Sequence, residues 1–116
     1  METIKSFTSI EQSKKLADIL PLESADMWFA NGLVVAKTSE EPKDIKGVFP
    51  CWSLVALLDA LPNKLRIALA INDFQGARKE KYSIGSVEHD KYDCFADNSV
   101  DACYEMIIKL HEQNLL

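Results

Sequence analysis

Cys51 is the residue whose placement points most directly to chemistry. It lies in FPCWSLVALLDALP, residues 49–62, where Pro50 suits the first turn of a helix because its missing N–H costs nothing there. A thiol in that turn feels the positive end of the helix dipole, which lowers its pKa and raises its reactivity. Nucleophilic catalysis also needs a base, and the chain has two histidines, His89 and His111, either of which the fold would have to bring to the sulfur. The neighbours Phe49, Trp52 and Leu54 argue for burial, and a buried free cysteine is ordinarily a small core residue. No catalytic residue is therefore assigned. A small enzyme or ligand binder using Cys51 with a histidine stands as the alternative reading.

A metal set can be drawn from Cys94, Cys103, His89 and His111, because Cys103 and His111 fall on roughly one side of a helix. Zinc sites usually carry ligand pairs about two to four residues apart, and that spacing is missing, so neither a metal nor a cofactor is expected. There is no P-loop, GxGxxG, HExxH or GxSxG, and only four glycines, so the usual phosphate cradles and the nucleophile elbow are absent. Glu40-Glu41 and the pair Asp97 and Asp101 read as solvated charges or helix caps.

The residues best suited to recognition are aromatic. Trp28, Phe29 and Trp52 are of the types enriched where proteins dock, and with Cys51 they form the candidate binding set, although core packing is the favoured reading of each because aromatics and free cysteines also dominate interiors.

Composition narrows the partners. The 116 residues carry a formal charge of −5, from 18 acidic and 13 basic side chains. The basic ones are scattered except near Arg78, Lys79 and Lys81. Nucleic-acid binding rests on a concentrated basic face, and an anionic membrane surface asks for the same, so neither partner is expected. No apolar run opens the chain, which reads as the absence of a secretory signal and hence as a cytoplasmic setting. Three cysteines without a CxxC suit reduced thiols better than a disulfide framework. At this length one domain, residues 1–116, is expected.

The elements that must position these residues follow from caps, turns and periodicity. Thr8 and Glu11 have capping-box spacing, so a helix is predicted to start at Thr8 or Ser9. Ile10, Ser13, Leu16, Ala17 and Leu20 form its inner stripe, and Pro21 ends it. Runs 27–30 and 33–37 flank Asn31-Gly32, the dipeptide of a type I′ hairpin. Residues 38–46 read as a loop. The central helix is predicted from Pro50 to about Leu61. Its clearly polar residues, Ser53 and Asp59, lie about 120° apart and make no polar stripe. At about a dozen residues it is too short for a bilayer, which needs ~20, so its cover must come from its own chain or from a partner.

Beyond Pro62, Leu65, Ile67, Leu69 and Ile71 alternate with Lys64, Arg66, Ala68 and Ala70, the pattern of a strand with one face in the core. Asn72, Asp73 and Gly76 supply a turn before a strand near 79–87, and His89-Asp90 a turn into 91–96. Residues 97–99 offer caps for a last helix with Val100, Cys103, Met106, Ile107 and Leu110 inward. The expected class is α+β: three helices on a mainly antiparallel sheet of about five strands, in the order α-β-β-α-β-β-β-α.

LADILP at 16–21 and LLDALP at 57–62 agree at four of six positions, either as a helix-plus-hairpin repeat or as ordinary helix-stop chemistry. The blocks SFTSIEQSKKLADILPLESADM, FPCWSLVALLDALP and DNSVDACYEMIIKLHEQNLL resemble a group of small proteins from gut anaerobic bacteria and their mobile elements or prophages. The resemblance covers about half the chain. It implies a bacterial cytoplasmic setting and brings no known activity with it.

These readings converge on a small acidic interaction module rather than an enzyme, whose partner is another protein or a second copy through apolar surface near the central helix. A mobile-element-encoded inhibitor or immunity-type protein is a further alternative. That role would require acidic side chains gathered on one face, and the sequence disperses them.

Overall fold

The structure is a computed structural model, and it describes residues 5–30, 33–36, 48–62, 65–71, 81–86 and 94–116. The Asn31-Gly32 turn, the 38–46 loop, Lys64, the turn residues Asn72, Asp73 and Gly76, and the His89-Asp90 turn all lie outside them. The class is α+β. Two compact units are formed, one spanning Ser6–Ala60 and the other Leu61–Leu116 together with Lys5.

In the first unit, helix α1 spans Ile10–Ala17 and is capped by Ser9, whose hydroxyl accepts the Gln12 N–H at 3.2 Å while the Gln12 side chain accepts the Ser9 N–H at 3.0 Å. The capping box thus sits one residue later than the Thr8–Glu11 spacing suggested. Thr8 is fully buried and commits its hydroxyl to the core instead. Ser13, Leu16 and Leu20 face inward as expected, whereas Ile10 and Ala17 are exposed.

Strands β1 (Met27–Ala30) and β2 (Leu33–Ala36) pair antiparallel, with Ala30 opposite Leu33, as a two-residue hairpin requires. A third strand, β3 (Phe49–Cys51), pairs with the other edge of β1, giving the order β2-β1-β3. This corrects the expected central helix. Phe49, Pro50 and Cys51 are extended, and helix α2 covers only Leu54–Ala60. The φ that proline fixes suits a helix start and also an extended edge strand, where a missing N–H is tolerated. β3 is such an edge among the described strands. What tips the balance is packing: Phe49 stacks on Phe29 across the pair at 5.1 Å, Phe7 meets Phe29 edge-on at 6.2 Å, and the Lys14 ammonium lies 5.7 Å from the Phe49 ring. Aromatic pairs of this kind contribute about 0.5–1.5 kcal/mol beyond their burial.

Ser53 then starts α2. Its hydroxyl accepts the Ala56 N–H at 3.3 Å, and the Asp26 carboxylate accepts from both the backbone N–H and the hydroxyl of Ser53. Residues 6–8 run antiparallel beside 52–54, with the Thr8 N–H donating to the Trp52 carbonyl at 2.9 Å.

The second unit is a meander, β4 (Ile67–Ile71), β5 (Tyr82–Ser86) and β6 (Cys94–Ala96), in that spatial order, with α3 (Ser99–Glu112) packed on it. Arg66 takes a left-handed φ of 50°, and β4 starts at the next residue, Ile67, so Leu65 lies outside the strand. The Ser86 hydroxyl donates to the Leu65 carbonyl at 2.6 Å. Ile67 and Leu69 are half-buried and Ile71 is exposed, so the alternation is real while its outer end faces water. α3 buries Val100, Cys103, Met106, Ile107 and Leu110, the set that its spacing marks, and Ala102 as well. Asn98 caps it by accepting the Asp101 N–H at 2.8 Å, and the Asp101 carboxylate also takes the Lys5 ammonium at 2.6 Å.

The described strands therefore form two sheets of three, in the order α-β-β-β-α-β-β-β-α, instead of one sheet of about five. The echo holds at its leucines, since Leu16 and Leu57, and Leu20 and Leu61, are all buried. It does not extend to pairing. The third strand joins the first of the preceding hairpin in one unit and the second in the other.

Candidate functional site

Cys51 sits on β3 opposite Met27, three residues before α2 begins, so it is not at a helix N-terminus. Its thiol is fully buried. The Sγ–H donates to the Thr8 carbonyl at 3.6 Å and lies 3.7 Å from the Thr8 hydroxyl, which shares a 2.7 Å hydrogen bond with Ser13 and accepts the Trp52 N–H at 3.2 Å. Burial pushes the Cys51 thiol above its ordinary value, against the lowering effect of its Thr8 and Ser13 bonds, and the Asp26 carboxylate adds to the rise. A helix dipole would have done the reverse. The cluster of Thr8, Ser13, Cys51 and Trp52 is chemically a satisfied buried network that ties α1 to β3, with a neutral thiol at its centre.

The aromatic candidates are core as well. Trp52 is fully buried, and its Nε1–H donates at 2.9 Å to the Ser24 hydroxyl, which in turn donates to the Pro21 carbonyl at 2.6 Å. That pair fastens a single 3-10 turn, Leu22–Ser24, beneath α2. Trp28 and Phe29 are buried on opposite faces of β1, Trp28 level with Val35 and Pro50, Phe29 level with Val34 and Phe49. The four candidate residues are thus all interior to the first unit, with Trp28 and Phe29 on opposite sides of β1.

The remaining chemistry-bearing residues that the structure describes lie in the second unit. Cys94 is half-buried on β6, and Cys103 is buried on α3, where burial alone pushes its thiol up to about 12. His111 is exposed in the last turn of α3, and His89 and Glu40-Glu41 lie outside the described residues. Among the described residues no three His, Cys, Asp or Glu side chains are grouped to hold a metal ion. No helix of the described residues is long and apolar enough to cross a membrane.

No family model, curated protein or solved structure matches the chain.

An exposed apolar surface lies on α2 itself, in the stretch where the sequence suggested one. Ala56 and Leu57 face the core, while Val55 is 65% exposed and Leu58 38% exposed, with Asp59 beside them. Positions 55, 58 and 59 are three and four apart, so they form one outward stripe. Leu22, on the 3-10 turn that α2 packs against, is also exposed. The signal was present in the sequence as an all-round apolar helix. Which of its leucines and valines are left outside is set by the face that α2 buries, Ala56 and Leu57.

Proposed function

We propose that the chain is a small acidic binding module that acts by protein contact through the outward stripe of α2, with a second copy of itself as its simplest partner. The observation that carries the reading is the pair Val55 and Leu58, adjacent on one helix face and open to solvent. Scattered exposed apolar residues are normal, whereas neighbouring large ones mark contact surfaces. A two-fold interface needs only that one patch meet its own copy. The buried, neutral Cys51 and the interior positions of Trp28, Phe29 and Trp52 support contact over catalysis. The formal charge of −5 on each copy opposes association, so an apolar contact should strengthen as salt screens the repulsion. Light scattering over a concentration series tests this. The mass should rise with concentration and rise further with salt. A protein that stays monomeric to about 1 mM, where an association of ~4 kcal/mol is half formed, contradicts it.

A further inference from the structure

We draw no further inference here: the strongest candidate, the exposed apolar stripe of Val55 and Leu58 on α2 with Leu22 nearby, belongs to the contact surface already proposed, and nothing in the structure shows what covers it.

Discussion

The thiol of Cys51 donates to the backbone carbonyl of Thr8, 43 residues earlier in the chain, at 3.6 Å. That contact turns the most reactive-looking residue of the sequence into a structural one. The sulfur is held neutral, away from solvent and inside a strand. Thiol-selective labelling of the native protein should therefore modify half-buried Cys94 first, with Cys51 and Cys103 slow and comparable. Peptide mapping after brief alkylation reads this out. Preferential labelling of Cys51 would restore the catalytic alternative.

The Thr8 hydroxyl serves Ser13, the Trp52 N–H and Cys51 together. Thr8→Val keeps its shape and leaves those buried groups short of a partner, which should cost about 1–3 kcal/mol. Ser9→Ala removes only an exposed helix cap and should cost about 1 kcal/mol. Urea unfolding of both variants checks the ranking. A Thr8→Val variant as stable as wild type would mean that the network contributes nothing.

Legibility in the sequence tracked how local the determinants were. The register of the hairpin strands and the inner face of α3 depend on neighbours a few residues away and appear as expected, while the alternation of β4 holds only at Ile67 and Leu69. β3 could not be read so, because Phe49-Pro50-Cys51 satisfies helix-start and edge-strand chemistry equally. Pairing with Met27, Trp28 and Phe29, far back in the chain, decides it. Trp28, Phe29, Cys51 and Trp52 are legible in the sequence as residues fit for a core or for contact, and their burial is a tertiary property that neighbours in sequence do not decide.

The C-terminal end of α3 offers a stabilising change. Asn114 has a φ of 58°, its N–H donates to the His111 carbonyl at 3.1 Å, and the Leu115 N–H reaches the Leu110 carbonyl at 2.9 Å. These are the paired bonds of a Schellman cap, whose left-handed position suits glycine best. Asn114→Gly should raise stability, because glycine carries no Cβ penalty at a left-handed position, seen as a higher thermal midpoint. Asn114→Val should lower it, since a β-branched residue resists that geometry.

Alkaline pH should weaken the fold through Cys103. Its folded-state pKa is raised to about 12 by burial, above the unfolded value of about 8.5. Its contribution is therefore fully present below about pH 8.5 and is lost as pH rises toward the folded value. Across that window stability should fall by up to about 1.4 kcal/mol per pH unit from this thiol. Cys103→Ala should flatten the slope between the two forms in urea unfolding at stepped pH. Parallel pH profiles would contradict the assignment.

The contact proposed for α2 is tested most directly by sedimentation equilibrium of the wild type beside the double variant Val55→Asp, Leu58→Asp. Both positions face solvent in the free chain, so the variant should keep the wild-type circular dichroism. Burying an apolar side chain of this size contributes about 1.5–3 kcal/mol. The expected result is a wild-type dimer whose dissociation constant rises at least about tenfold in the variant. An unchanged constant, or a wild type that never leaves the monomer, contradicts the account.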